Sequence, residues 1–306
     1  MNNSDPVFSV IIPTYQRAAV IEECVRSVLD QSFTNFEVII IDDGSTDDTA
    51  QILKPLSETD YRVKYLYQEN AERSNARNHG IRVSLGEYIC FLDSDDLLLP
   101  EHLQLFYNRL KELDFPVALL YCNSMNEDNS RSHIRPESEQ ENPLELIMLH
   151  SIGAQQTCIH RSILVEHQFD PKIRIGEDRE LWFRITKDYP MIYSDQRTTK
   201  IRDLGDRSVD ITNTWAYKEN IAHINHLRKQ DSSGRIPHWI LKSMYSTAHY
   251  KLALCYFRSN KRVLAFGQLL LSIFKWPKHK YRYKIILMMN ILGLRWLLPE
   301  RLRDAY

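Results

Sequence analysis

Three apolar runs constrain the fold of this chain most, because each is too continuously apolar to keep one face in water. They read FSVII at residues 8–12, FEVIII at 36–41 and YICFL at 88–92. Such runs are typical of central strands in a parallel sheet, which helices cover on both faces. An apolar stripe of helical spacing follows the first run, at Ile21, Cys24, Val25, Val28 and Leu29. Repeated βα units of this kind predict an α/β fold with a mostly parallel sheet flanked by helices.

Further elements follow from the same periodicities. They predict helices at 49–56, 74–84, 101–113 and 143–149, and strands at 62–67 and 117–121. The polar residues 123–143 have no clear period and predict a loop. Residues 157–163 indicate another passage from strand to helix, and Leu181, Trp182 and Ile185 have the spacing of a helix.

A polar or acidic cluster follows each apolar run where its strand would end. The clusters are Pro13-Thr14-Tyr15, Asp42-Asp43-Gly44-Ser45 and Asp93-Ser94-Asp95-Asp96. Parallel sheets bind ligands at the carboxyl ends of their strands, so we expect these clusters at one edge. Neighbouring carboxylates repel one another unless a cation or a hydrogen-bonding ligand is present. Carboxylates with room for phosphate oxygens suit Mg²⁺ or Mn²⁺, which indicates a metal-assisted nucleotide site.

Each acidic cluster also has a purely structural interpretation. The residues Asp93 to Asp96 could cap a helix that begins near Leu97, because Asp and Ser are favoured at that position. The Asp42 turn could likewise precede a helix, with Ser45 and Asp48 at capping-box spacing. Two such turns after buried strands in one chain favour the ligand site.

Five stretches of the chain, in order, resemble the family 2 glycosyltransferases. They are FSVIIPTYQR, FEVIIIDDGSTDDT, NARNHGI, GEYICFLDSDDLLLP and GEDRELWFRI, within residues 7–210. The resemblance implies a Rossmann-like sheet of the GT-A type. It also implies an inverting transferase that uses a nucleotide-diphospho-sugar, with UDP as the expected nucleotide, and a divalent cation, Mn²⁺ or Mg²⁺.

The resemblance also implies roles for individual residues. The nucleoside pocket would be lined by Pro13, Thr14 and Tyr15. Asp43 would accept a hydrogen bond from the base, and Asp93 would face the ribose or the metal. Asp95 would bind the metal, and Asp178 would be the catalytic base. Without the resemblance, an acidic pair at 177–178 is also what a helix N-terminus favours.

Three arginines near these motifs are further candidates. Arg77 could face the diphosphate or lie in solvent on its helix, and solvent is the expectation for Arg73. Many family members have a histidine after the base, where this chain has Leu204 in the run Ile201-Arg202-Asp203-Leu204. The departure puts a third protein ligand for the metal in doubt and leaves Arg202 as a weaker candidate phosphate contact.

The C-terminal part differs in charge from the rest. Residues 255–306 contain eleven lysines or arginines and two acidic residues, whereas the whole chain has a net charge of −1. Apolar helical runs at 263–274 and 285–298 are too short to span a bilayer. We therefore expect a GT-A catalytic domain at 1–215 and a basic helical extension at 216–306. The extension could lie on an anionic membrane surface or pack in a homodimer.

Composition bounds the location and the partners. Five scattered cysteines and no basic-then-apolar leader predict a reduced, cytoplasmic protein, at the inner face of the cell membrane if the extension binds lipid. A near-neutral charge gives no reason to expect nucleic acid. The expected partners are a nucleotide-sugar donor and a glycan or lipid-linked glycan acceptor, in bacterial surface polysaccharide synthesis. The alternatives are a sugar-nucleotidyltransferase and a non-catalytic nucleotide-binding subunit.

Overall fold

The computed structural model describes residues 5–126, 143–149, 152–202, 214–278 and 280–294. The chain divides into two compact units, Met1–Leu204 and Gly205–Tyr306. The assignment of a catalytic domain to residues 1–215 stays a prediction.

An eight-stranded sheet forms the centre of the first unit. Its strands are β1 (Phe8–Thr14), β2 (Phe36–Asp42), β3 (Val63–Tyr67), β4 (Tyr88–Phe91), β5 (Leu97–Leu98), β6 (Leu119–Asn126), β7 (Thr157–His160) and β8 (Met191–Ile201). Every residue of β1, β2 and β4 is buried, which explains why the three apolar runs lack a polar face.

The strand order is β3-β2-β1-β4-β7-β6-β8-β5. The pairs β1–β2, β1–β4, β2–β3 and β6–β8 are parallel. Antiparallel pairing joins β7 to β4 and β6, and β5 to β8. The predicted α/β class with a mostly parallel sheet is therefore confirmed, and the antiparallel pairs lie in the later half of the sheet.

Helices lie between most of these strands along the chain. They are α1 (Ile21–Leu29), α2 (Thr49–Thr59), α3 (Glu72–Val83), α4 (His102–Glu112), α5 (Pro143–Leu149), α6 (Arg161–Glu166) and α7 (Glu177–Ile185). In α1 and α7 most of the predicted apolar stripe is buried. In α1 the buried residues are Ile21, Cys24, Val25 and Val28, which pack against the sheet.

Three details differ from the sequence predictions. Leu97 begins the strand β5 rather than a helix, so the acidic residues before it are not a helix cap. Residues 123–126 continue β6 where a loop was expected, and residues 127–142 of that loop lie outside the described residues. The strand β8 has no predicted counterpart, because its buried positions are mostly Ser, Gln and Thr rather than apolar residues.

The second unit is helical, as predicted. Its helices are α8 (Thr214–Gln230), α9 (His238–Arg258), α10 (Arg262–Lys275) and α11 (Tyr281–Ile291). The last helix ends earlier than its apolar run, because Gly293 adopts a left-handed φ of 74° and Leu294 N–H bonds back to the Met289 carbonyl at 2.8 Å. None of the helices in the described ranges combines the length and the hydropathy needed to cross a membrane.

Candidate active site

The ends of β1 and β2 are joined into one edge. Thr14 is in register with Asp42, and the Asp43 N–H donates to the Thr14 carbonyl at 2.8 Å. Gln16, which has a left-handed φ of 54°, donates its backbone N–H to the Ser45 hydroxyl at 2.9 Å. The side-chain oxygen of Gln16 accepts hydrogen bonds from the N–H groups of the two residues after Ser45, which are residues 46 and 47. These bonds fix the two turns against each other.

Asp43 is held against the loop that follows β3. One of its carboxylate oxygens accepts from the Gln68 side chain at 2.7 Å and from the Ala71 N–H at 2.9 Å. Gly44 is required beside it, because its φ is +86° and a Cβ there would lie 2.8 Å from the Asn70 nitrogen. The close approach of this loop explains the glycine in the Asp-Asp-Gly-Ser turn.

The capping interpretation of this turn is wrong in detail. The N-cap of α2 is Asp48, and no side-chain hydrogen bond caps the helix there. Asp42 instead accepts the Ser45 N–H at 2.9 Å and the Tyr65 hydroxyl at 2.7 Å. The turn is therefore built from strand-end contacts and not from a capping box.

The three residues predicted to line a nucleoside pocket lie at the end of β1. Pro13 and Thr14 are buried, whereas the side chain of Tyr15 is half exposed. The Thr14 hydroxyl is buried and has no hydrogen-bond partner among the described residues. Buried polar atoms are normally paired, so a hydroxyl of this kind suits a site that awaits a ligand.

Arg77 links the acidic end of β4 to the acidic start of α7. Its guanidinium donates to Asp93 at 2.7 Å and to Glu177 at 3.0 Å. The Arg77 side chain is 4% exposed, which excludes the alternative of a solvated helix residue. Burial lowers the pKa of Arg77, but the Asp93 and Glu177 carboxylates together raise it by more. The pKa of Arg77 is therefore above its usual value. Arg77 is therefore a buried cation between two carboxylates.

A cluster of aromatic side chains packs against the Arg77 guanidinium. The Arg77 guanidinium lies 5.2 Å from the centre of the Phe169 ring. Asn78, the next residue of α3, exchanges two hydrogen bonds with the Phe169 backbone at 2.9 and 3.0 Å. Phe169 in turn packs edge-on against Phe91 and Trp182. Trp182 is fully buried and belongs to the core.

Asp178 lies at the N-terminus of α7. Gly176 enters the helix with a left-handed φ of 78°, so the acidic pair follows a sharp turn that favours glycine. One Asp178 oxygen accepts the Arg179 N–H at 2.7 Å. Burial and the neighbouring Glu177 charge raise the pKa of Asp178 to about 6, against the lowering effects of Arg179 and Arg77. A carboxylate with this pKa can accept a proton near neutral pH.

Two arginines surround the acidic residues that follow β4. Arg17 pairs with Asp95 at 3.4 Å, and both side chains are about a quarter to a third exposed. The Arg202 N–H donates to Asp96 at 3.0 Å, and its guanidinium reaches the Asp95 carbonyl and Glu23. Burial and the Asp93 and Asp95 charges raise the pKa of Asp96 to about 8. Arg202 is thus part of the acidic edge, and Asp203 and Leu204 lie outside the described residues.

The donor set around Asp95 fits a hard divalent cation. Its carboxylate is partly exposed, and its acidic neighbours give the edge a negative field. Within the described ranges, no group of three His, Cys, Asp or Glu side chains is arranged to hold a metal. Mg²⁺ and Mn²⁺ need only one or two protein carboxylates when substrate phosphates supply further oxygens. A cation held by Asp95 and a diphosphate is compatible with these residues.

The structure therefore places four of the predicted residues in two groups. Asp93, Arg77 and Asp178 belong to one electrostatic cluster, with Glu177 as the link. Asp43 belongs to a neighbouring cluster around the loop after β3. Sequence reasoning missed that Glu177 is the buried partner of Arg77. The only signal for it was the adjacent pair of acidic residues.

Comparisons with known proteins identify relatives of this chain. The family model for glycosyl transferase family 2 matches residues 9–169, more than half of the chain. This chain belongs to that family. An uncharacterized glycosyltransferase of Rickettsia conorii is 32% identical over 234 residues, which cover 72% of this chain and 38% of that protein. The match covers 32–38% of the length of three Rickettsia relatives, and 59–60% of the length of two others.

Solved structures show that the fold is the GT-A glycosyltransferase fold. TarS of S. aureus, residues 1–349 with UDP-GlcNAc, has a TM-score of 0.62 and 17% identity over 94% of this chain and 88% of that chain. The mannosyltransferase PcManGT of Pyrobaculum calidifontis, solved with GDP-Man and Mn²⁺, has a TM-score of 0.58 and 18% identity. That match covers 96% of this chain and 88% of the other.

We predict that Arg77→Met lowers the free energy of unfolding by roughly 3 kcal/mol, because it removes the buried cation that bonds both Glu177 and Asp93. Urea denaturation measures the change. The matched control is Arg82→Met in the same helix, where the exposed side chain should matter by less than about 0.5 kcal/mol. Adding Glu177→Gln should restore part of the loss. Equal effects of Arg77→Met and Arg82→Met would contradict the role of the ion pair.

Proposed function

We propose that this protein is an inverting glycosyltransferase that moves a sugar from a nucleotide-diphospho-sugar to an acceptor hydroxyl. The observation that carries the proposal is Asp178. Its pKa is raised to about 6, and Glu177 and Arg77 link it to the Asp93 carboxylate at the end of β4. Inversion in one displacement needs a single base. The base takes the proton of the acceptor hydroxyl while the hydroxyl oxygen bonds to the anomeric carbon. The bond from that carbon to the nucleoside diphosphate breaks in the same step, and the nucleoside diphosphate leaves.

The donor would lie at the carboxyl edge of β1, β2 and β4. Pro13, Thr14 and Tyr15 would line the nucleoside pocket, where the unpartnered Thr14 hydroxyl can bond to the ligand. Asp43 would accept from the base, since it is already oriented by two donors. UDP is the nucleotide we favour.

Arg77 would serve the nucleotide site through Asp93. Both terminal nitrogens of its guanidinium already donate to carboxylates, so it holds Asp93 in place for the ribose or the metal region. A direct contact with the diphosphate would require these buried bonds to break. Arg202 would contribute by orienting Asp95 and Asp96.

A divalent cation, Mn²⁺ or Mg²⁺, would be held by Asp95. When bound, such an ion neutralises the charge that develops on the departing diphosphate. Arg17, the ion-pair partner of Asp95, lies at the same edge and can adjust to a bound phosphate because its side chain is 26% exposed.

The acceptor would be a glycan or a lipid-linked glycan, and the setting would be bacterial surface polysaccharide synthesis at the cytoplasmic side of the membrane. The family membership supports glycosyl transfer over nucleotidyl transfer. A nucleotidyltransferase would instead release pyrophosphate from a nucleoside triphosphate. A non-catalytic subunit would bind the donor and never release the nucleoside diphosphate.

We predict that Asp178→Asn lowers the turnover of donor sugar by roughly 10²–10⁴, the usual contribution of a positioned general base. The affinity for the donor should be unchanged, because the amide has nearly the same shape. Release of nucleoside diphosphate from UDP-sugars measures turnover, and calorimetry measures affinity. Asp188→Asn, an exposed aspartate just beyond the same helix, is the control. Transfer within a few fold of wild type would assign the base to Glu177 or another carboxylate.

The pKa of Asp178 predicts the pH dependence of turnover. The base must be ionised, so turnover should fall as the pH drops through about 6. Removing the neighbouring negative charge in Glu177→Gln should lower the pKa of Asp178 and move the midpoint of this limb to lower pH. A pH–rate profile of both proteins tests this expectation. An identical midpoint in wild type and Glu177→Gln would show that Asp178 does not control the fall in turnover at low pH.

We predict that Asp95→Asn abolishes Mn²⁺-dependent binding of UDP while leaving the fold intact, because the neutral amide is a poor ligand for a hard cation. Calorimetric titration with and without Mn²⁺ measures the effect. Asp48→Asn, an exposed aspartate before α2, is the matched control. Metal-dependent binding that survives in Asp95→Asn would place the cation on another residue.

A further inference from the structure

Helix α10 in the second unit is apolar on two opposite faces. Its inner face packs on the other helices through Ala265, Leu269 and Ser272, which are fully buried. Its outer face carries exposed positions at helical spacing, here named the α10 stripe: Val263, Leu264, Gly267, Leu270, Leu271 and Phe274. The most exposed are Val263 at 86% and Phe274 at 83%. A contiguous apolar stripe of this kind is the mark of an interaction surface.

The charged side chains that flank the α10 stripe along the sequence are all basic. Residues 232–299 contain twelve lysines and arginines and no aspartate or glutamate. Exposed cations lie just before α10 and at its first residue, and again shortly beyond its end: Lys261, Arg262, Lys278, Lys280 and Arg282. An apolar stripe with basic side chains at both ends matches a surface that is apolar inside and anionic outside.

Side chains suited to a bilayer interface continue beyond the stripe. Tyr281 and Tyr283, at the start of α11, are half exposed, and so is Ile285. Tyrosine has an apolar ring and a polar tip, which favours the boundary between lipid headgroups and acyl chains. Lys278 and Lys280 precede these tyrosines, so apolar, aromatic and basic groups follow one another along the chain.

The helices beneath the stripe are fixed to one another by a buried lysine. The Lys284 ammonium of α11 donates to the Ser246 hydroxyl of α9 at 2.8 Å. It also donates to the carbonyls of Ser272 in α10 at 3.1 Å and of Trp276 at 2.7 Å. The stripe is thus presented by a preorganised helical layer, which reduces the ordering cost of docking.

We propose that the α10 stripe docks on the surface of an anionic lipid bilayer, with its apolar side chains in the headgroup boundary and the flanking cations on the lipid phosphates. This inference is independent of the glycosyl transfer proposed above. A helix lying in the interface inserts its apolar face by about 5–10 Å, which suits one stripe of a single helix. A second copy of the chain is the less favourable occupant. A two-fold symmetric interface would bring the lysines and arginines that flank the stripe in one copy close to those of the other copy, and these like charges repel.

Vesicle co-sedimentation of the full chain tests the proposal. The vesicles are phosphatidylcholine alone or phosphatidylcholine with phosphatidylglycerol, each at low and high salt. We expect binding to the anionic vesicles that weakens with salt, because salt screens charges beyond a Debye length. Little binding to neutral vesicles is expected. Equal recovery in the supernatant under all four conditions would overturn the proposal, and so would equal binding to both kinds of vesicle.

Two pairs of variants separate the apolar and the basic contributions. Val263→Ser with Phe274→Ser should weaken vesicle binding roughly tenfold or more. Tyr61→Ser, at an equally exposed position in the first unit, should not. Lys278→Gln with Lys280→Gln should weaken binding by more than roughly tenfold, whereas Lys54→Gln in α2 should have little effect. Unchanged binding in both double variants would refute the proposal.

Two solution measurements complete the test. Release of nucleoside diphosphate from a UDP-sugar should be the same in wild type and in all of these variants, which separates this proposal from the proposed function. Sedimentation velocity without lipid should show no association that depends on the stripe. A dimer that dissociates in Val263→Ser with Phe274→Ser would assign the stripe to a second copy and reject the bilayer.

Discussion

The ion pairs of Arg77 are the interaction on which the candidate site depends. One buried guanidinium joins Asp93, at the end of β4, to Glu177, which is 100 residues further along the chain than Arg77. A buried charge without a partner is far more costly than the pair, so these elements cannot separate without a large loss of stability. The proposed donor side and the proposed base side of the candidate site are thereby fixed to one helix, α3. The Asn78 bonds to the Phe169 backbone brace the same helix against the segment before α7.

The acidic edge is stable because each carboxylate near it has a local partner. Asp42 accepts the Tyr65 hydroxyl, Asp95 pairs with Arg17, and Asp96 accepts the Arg202 N–H. Burial is the largest cause of the raised pKa of Asp96, and repulsion from the Asp93 and Asp95 charges adds to it. A bound cation would therefore not be the only partner of these carboxylates. Its contribution would be made to the phosphates of a bound donor.

Much of the first unit could be predicted, because buried parallel strands need continuous apolar runs and amphipathic helices need a stripe. Strand β8 could not be predicted, since its buried Ser, Gln and Thr side chains give no apolar pattern. The motifs indicated which carboxylates to expect at the candidate site. They did not indicate that Arg77 is buried, because the same sequence suits an exposed helix. The position of Asp178 followed from its motif, but its raised pKa depends on burial that no local pattern reveals.

The strength of the proposed base depends on the same guanidinium that holds the site together. At a helix N-terminus the dipole favours an ionised carboxylate, which would make Asp178 a weak base. Burial has the opposite effect and raises the pKa of Asp178, and the adjacent Glu177 charge raises it as well. Arg77 is bonded to the buried Glu177 carboxylate, whose charge raises the pKa of Asp178. Arg77 thus holds that carboxylate beside Asp178, while its own positive charge limits the rise in the pKa of Asp178. The base is set near neutrality by a balance between two neighbours that are themselves an ion pair.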